Sequence, residues 1–91
     1  MKAEQRLAAI RERLQAALCP ESLVVEDESH LHVGHVGARD GRGHFRVMIV
    51  SPAFNGKPML ARHRAVYTAL GELMQSDIHA LAIEAVASDE L

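Results

Sequence analysis

"IHALAIEAV", residues 78–86, decides how this chain folds. It is almost continuously apolar, and its isoleucines and valine weaken a helical reading, so it suits a strand covered on both faces. Upstream, residues 59–75 place Leu60, Val66, Tyr67, Leu70, Leu73 and Met74 on one broad apolar face, which predicts a helix with Gly71 as a mild cost. Before that helix, "HFRVMIV", residues 44–50, alternates at period two, with Phe45, Val47 and Ile49 on one face and His44, Arg46, Met48 and Val50 on the other. Strand, helix and strand over this distance imply a right-handed crossover, so the last two strands pair in parallel.

The joints agree with this division. "SPAFNGKP", residues 51–58, is dense in turn chemistry: Asn55-Gly56 suits a positive φ, and Pro58 suits a helix's first turn. Toward the N-terminus, Ala3, Leu7, Ile10, Leu14, Ala17 and Leu18 fall at helical spacing, giving a surface helix over residues 3–18 that ends at Cys19-Pro20. "SLVVEDES", residues 22–29, reads as a strand with an acidic, exposed end. The order is helix, strand, strand, helix, strand in a single domain, residues 1–91, with no repeat, low-complexity tract or linker.

At 91 residues such a domain buries about 60–65% of its unfolded surface. With two Phe, one Tyr and no Trp, its core must be aliphatic. No apolar run approaches a membrane span, and the N-terminus opens an amphipathic helix instead of a signal peptide, so no membrane partner and a cytoplasmic address are expected. Cys19 is the single cysteine; it excludes an internal disulfide and reads as a small, half-buried residue at a helix end. The net charge of −2 argues against a surface that is basic throughout. Its distribution is uneven, because residues 39–64 hold Arg39, Arg42, Arg46, Lys57, Arg62 and Arg64 against Asp40 alone. A local basic face follows.

Four of the six histidines lie in "SHLHVGHVGARDGRGH", residues 29–44, most of which is a loop too long for a simple hairpin. His30, His32 and His35 form H-x-H-x-x-H, which could take zinc or nickel adventitiously but lacks the cysteine or fixed fourth ligand of a structural zinc site. As solvated loop residues they would need no explanation. His79 opens an apolar strand, where the residues alone favour an imidazole satisfied by a backbone carbonyl. His63, between two arginines, and His44, entering a strand, read as structural hydrogen-bonders. No Ser-His-Asp order, paired-carboxylate site or phosphate loop is present, so no enzyme is expected.

Taken in order, five landmarks resemble the BolA family: Asp27-Glu28-Ser29 with His32 three residues on, His44-Phe45, Phe54-Asn55-Gly56, Arg62-His63-Arg64, and His79-Ala80-Leu81. The resemblance covers nearly the whole chain. It implies an α+β fold similar to a class II K-homology domain, with a three-stranded mixed sheet and helices packed on one face. It also implies a monothiol glutaredoxin as partner and a bridging [2Fe-2S] cluster, for which the glutaredoxin and its bound glutathione supply thiolates. From this chain the family pattern draws His79 and one loop histidine, His32 by its spacing from Ser29, or else His35. Two departures stand out: the loop is a few residues longer than in the commonest members, and Gly43 stands where the family usually has Ser.

The composition is consistent with a shared cluster. A [2Fe-2S] centre takes four ligands, two of which can be histidines on one iron, and a chain with one cysteine can lend imidazole only to a centre whose thiolates come from elsewhere. The basic stretch Lys57, Arg62, His63 and Arg64 is expected to meet the glutaredoxin or the carboxylates of its glutathione, since Arg offers paired planar donors. A DNA-binding transcriptional regulator using the same surface, Lys57 to Arg64, is the second reading. Against it, Gly56-Lys57-Pro58-Met59 lacks the second glycine of the nucleic-acid-clamping GXXG loop, and aromatic stacking platforms are few. An interaction module without metal remains the plainest alternative.

Overall fold

The computed structural model describes residues 2–32 and 41–91, the side chains of Leu31 and His32 apart. Helix α1 spans Ala3–Leu18, strand β1 Ser22–Asp27, strand β2 Gly43–Ser51, helix α2 Met59–Leu70, the short helix α3 Leu73–Ser76 and strand β3 Ile78–Ala87. Short 3-10 turns follow β1 (Ser29–His32), β2 (Pro52–Phe54) and β3 (Ser88–Glu90). The sheet order is β1-β2-β3, with β1 antiparallel and β3 parallel to the central strand. This is the α+β architecture expected, with a mixed three-stranded sheet.

Most of the apolar stripes meet in the core, whereas Leu60 and Tyr67, expected on the apolar face of the second helix, are 63% and 42% exposed. Ile10, Leu14 and Leu18 of α1 and Val66 and Leu70 of α2 pack on Phe45, Val47 and Ile49 of β2, while Ile78, Ala85 and Ala87 of β3 complete the same core. α1 ends at Cys19, which takes a left-handed φ of 43° and donates its N–H to the Gln15 carbonyl at 3.1 Å. Cys19 is exposed, not half-buried. The end of α1 is then tied to β2 by the buried Ser51 hydroxyl, which donates to the Leu18 carbonyl at 2.6 Å.

Two expectations are corrected. The helix read over residues 59–75 breaks at Gly71, whose φ of 54° suits a residue without Cβ, and Arg13 caps the break by donating from Nη1 to the Leu70 carbonyl at 3.1 Å. β3 is not covered on both faces. His79, Ala80, Ala82 and Glu84 are exposed, and with half-exposed Val24 and Met48 they belong to a sheet face that the helices leave open. Continuous apolar character misled here because alanine carries little burial information.

Arg62 is also corrected. Expected on a basic surface, it is 7% exposed and belongs to the interior. Its Nε donates to the Lys57 carbonyl at 2.9 Å, Nη1 to the Ala85 carbonyl at 3.1 Å, and Nη1 and Nη2 to Glu90 Oε1 and Oε2 at 2.6 and 3.2 Å. Glu90 also accepts from the Ala87 N–H at 2.8 Å, so this guanidinium staples α2 to the end of β3. Arg62 holds the Glu90 carboxyl below its ordinary range, and Glu90 raises the guanidinium in return.

Gly43 has a steric cause. A Cβ there would lie 2.6 Å from Cε2 of the buried Phe45 ring and 3.1 Å from Ser29 Oγ. Gly43→Ala should therefore destabilise the fold by about 1–3 kcal/mol through overpacking, read as a lower urea midpoint with unchanged slope.

Candidate functional site

The His end of the sheet is built by a slip in strand register. Gly43 pairs with Ile78, but His44 pairs with Ala80, so β3 carries one more residue than β2 at this point and that residue is His79. Such bulges turn a side chain away from its regular alternation. The result is an exposed His79 whose ring centroid lies 5.2 Å from that of His44, with the planes tilted by 49°. His44 itself is 8% exposed. Sequence reasoning treated the two separately; the signal was available, since both open neighbouring strands read as parallel.

The turn that starts the histidine-rich stretch is tied to the same place. Asp27 Oδ1 accepts from the Ser29 N–H at 2.8 Å, Ser29 Oγ accepts from the His44 N–H at 3.1 Å, and the Glu28 N–H donates to the His44 carbonyl at 2.8 Å. This gives the Asp27-Glu28-Ser29 motif a structural role: it closes the end of the β1-β2 pair. His32 ends the 3-10 turn that begins at Ser29, its side chain lying outside what is described. His35 lies outside the described residues. Beside the two rings runs a shallow, mainly apolar groove lined by Glu28, His44, Phe45, Ala80, Leu81 and Ala82.

Positive charge reaches this end from Arg42 and Arg6. Arg42 Nη2 lies 3.1 Å from His79 Nδ1, and its Nη1 is 3.4 Å from the Gln75 carbonyl. Neither His44 nor Arg42 stood among the expected site residues. Arg6 of α1 donates from Nε to Asp77 Oδ1 at 3.1 Å and from Nη2 to the Gly41 carbonyl at 2.6 Å, joining the first helix to both flanks of the histidines. The Asp77 carboxyl is held below its ordinary range chiefly by the Ser76 hydroxyl, which donates to Oδ2 at 2.6 Å, and further by Arg6, while burial opposes them.

The remaining expected residues are elsewhere. Lys57 and Arg64 are exposed and His63 half-buried, on and just before the first turns of α2. Their neighbour Arg62 contacts Ala85, six residues along β3 from His79. At about 3.3 Å per residue, that is roughly 20 Å from the histidine pair. Cys19 follows Leu18, whose carbonyl is bonded to Ser51 at the far end of β2. Among the described residues the His end offers the imidazoles of His44 and His79, with Glu28 along the groove, and the thiol is remote. Among the described residues no group of three or more His, Cys, Asp or Glu is placed to hold a metal ion. This donor set fits the imidazole half of a centre whose thiolates come from another molecule, and does not fit a self-contained one.

Residues 14–90 match the family model described as BolA-like protein. The chain belongs to the BolA-like family. It is 44% identical over 87 residues to SufE-like protein 1, chloroplastic/mitochondrial, of Arabidopsis thaliana, covering 90% of this chain and 24% of that protein. An uncharacterised protein in the cobS 5' region of Sinorhizobium sp is 46% identical over 83 residues, with 89% of each covered. Among solved structures, the BolA domain of SufE1 from Arabidopsis thaliana superposes with a TM-score of 0.84 at 40% identity, covering 100% of this chain and 99% of that one. The BolA-like chain spans about a quarter of the length of the first relative, and about half that of Protein BOLA1, chloroplastic, of the same plant. Among its described residues no helix is long and apolar enough to cross a membrane.

A depressed carboxylate fixes the sign of one pH effect. Because Asp77 titrates lower in the fold than in the unfolded chain, its stabilisation is complete above the unfolded value, about 3.9, and disappears as pH falls through the lower folded value. Asp77→Asn should cost about 1 kcal/mol at neutral pH, and its difference from wild type should shrink toward zero when denaturant unfolding is repeated below pH 3.9.

Proposed function

We propose that this BolA-like chain is a non-catalytic accessory protein that binds a monothiol glutaredoxin and shares a [2Fe-2S] cluster with it, in cluster assembly, transfer or iron sensing. One observation carries the reading: an exposed imidazole, His79, projects from a strand bulge at an end of the sheet remote from the single thiol. In this reading His79 is the fixed ligand and His32, or else His35, the second. The glutaredoxin cysteine and glutathione supply the thiolates. Imidazole in place of thiolate removes negative charge from the centre and raises its reduction potential.

The chain's own part is to present and orient. The Ser29 hydroxyl, accepting from the His44 N–H, and the Gly43 N–H, donating to the Asp77 carbonyl, hold the strand ends together, the bulge aims His79 outward, and the small side chains of Ala80 and Ala82 leave a trough in which a partner's apolar surface can sit. Lys57, His63 and Arg64 are proposed as a second contact on the partner, too distant for the glutathione carboxylates beside the cluster. Arg62 drops from that role because its donors are engaged inside the fold. Its inward position also takes a cation from the surface that the DNA-binding reading needs. The proposal sets the exchange in the cytoplasm, although named relatives belong to chloroplast or mitochondrion.

Anaerobic cluster reconstitution with a monothiol glutaredoxin and glutathione tests this reading. His79→Ala should change the visible circular dichroism of the mixed complex and shorten cluster lifetime about tenfold or more. One of His32→Ala and His35→Ala should do the same and the other should not. Identical spectra for wild type and all three variants would remove histidine ligation.

A further inference from the structure

We propose that Arg42 is a latch on His79: its guanidinium holds the imidazole through Nδ1 in the isolated chain and must let go before that ring binds metal. The proposal deepens the reading of His79 as a ligand and rests on it. A guanidinium carries only N–H donors and stays cationic, so at 3.1 Å from Arg42 Nη2 the His79 Nδ1 atom is the acceptor. In a neutral ring whose Nδ1 gives its lone pair, the proton is on Nε2.

Metal binding is incompatible with this bond by either route. If metal is taken at Nδ1, it competes with Arg42 for one lone pair. If it is taken at Nε2, the proton must move to Nδ1, where it meets the Arg42 N–H donor to donor. A metal-bound histidine ordinarily gives its second N–H to a carboxylate or carbonyl, which orients the ring and strengthens it as a ligand. Arg42 has the opposite polarity, so it restrains the ring instead.

The latch is built to open. Arg42 stands where the chain re-enters β2, one residue after Gly41, whose φ is 84° and whose carbonyl is held by Arg6. Its other terminal nitrogen already faces the Gln75 carbonyl at a long 3.4 Å, so an acceptor is at hand when His79 leaves. An anionic group on an arriving partner would draw the guanidinium in the same way. Histidine and cluster-bearing partner are thereby coupled, and loose divalent ions are disfavoured.

The test uses the isolated chain, so it succeeds or fails independently of cluster sharing with glutaredoxin. Long-range proton-nitrogen NMR of the imidazoles reports the His79 tautomer, and zinc titration followed at the same ring reports its metal affinity. Wild type should show an unprotonated Nδ1. Arg42→Ala should mix the tautomers and bind zinc at His79 about three- to tenfold more tightly, the worth of one solvent-exposed hydrogen bond. Arg42→Lys should stay within about twofold of wild type, and so should Arg46→Ala, which deletes an equal charge from β2 without touching His79. A protonated Nδ1 in wild type, unchanged zinc affinity in Arg42→Ala, or equal gains in Arg42→Ala and Arg46→Ala would overturn the latch.

Discussion

Parallel pairing of β2 and β3 slips by one residue at the strand starts, so that His44 faces Ala80 and His79 becomes the extra residue of the ladder. The geometry of the His end follows from that slip. Ordinary alternation, counted back from the exposed face of Glu84, Ala82 and Ala80, would send His79 to the helix side. The bulge instead aims it outward while the sheet hydrogen bonds on either side hold its backbone, which is how a side chain becomes both accessible and fixed. The Gly43 N–H donates to the Asp77 carbonyl at 2.9 Å, which ties the start of β2 to the residue just before β3 at this point.

Two buried or half-buried ion pairs pin the opposite ends of the same sheet. Arg6 and Asp77 join the start of α1 to the start of β3 beside the histidines, and Arg62 and Glu90 join α2 to the turn after β3 at the other end. Both are supplemented by hydrogen bonds, to the Ser76 hydroxyl and the Gly41 carbonyl in one case and to the Ala85 and Ala87 backbone in the other. Pairs satisfied in this way are costly to break singly, because an unpaired ion would remain in a poorly solvated place. They divide the molecule into an imidazole end, with Arg42 and Arg6, and an end that holds Lys57, His63, Arg64 and Cys19.

Much of this was legible in the sequence, and the failures have physical causes. Period and capping residues gave α1 to the residue, and the alternation in β2 named Phe45, Val47 and Ile49 as its core face. The parallel pairing of the last two strands followed from the crossover rule. What could not be read was tertiary. Arg62 looks like any surface cation until Glu90, 28 residues later, is brought to it. Ala80 and Ala82 are apolar yet exposed, so composition overstated the cover on β3. Gly71 counted as a mild cost within one helix, whereas its positive φ and the Arg13 cap end that helix. The proximity of His44 to His79 was within reach, but the register slip that decides their geometry leaves no mark on local pattern.

The central claim is that this chain lends imidazole nitrogen to iron whose thiolates another molecule provides. Pulsed electron paramagnetic resonance of the reduced complex, with nitrogen-15 histidine incorporated into this chain alone, tests it most directly. The account predicts the strong nitrogen-15 coupling of directly bonded imidazole, diminished when His79 is replaced by alanine. A centre showing no such coupling from the labelled chain would contradict it.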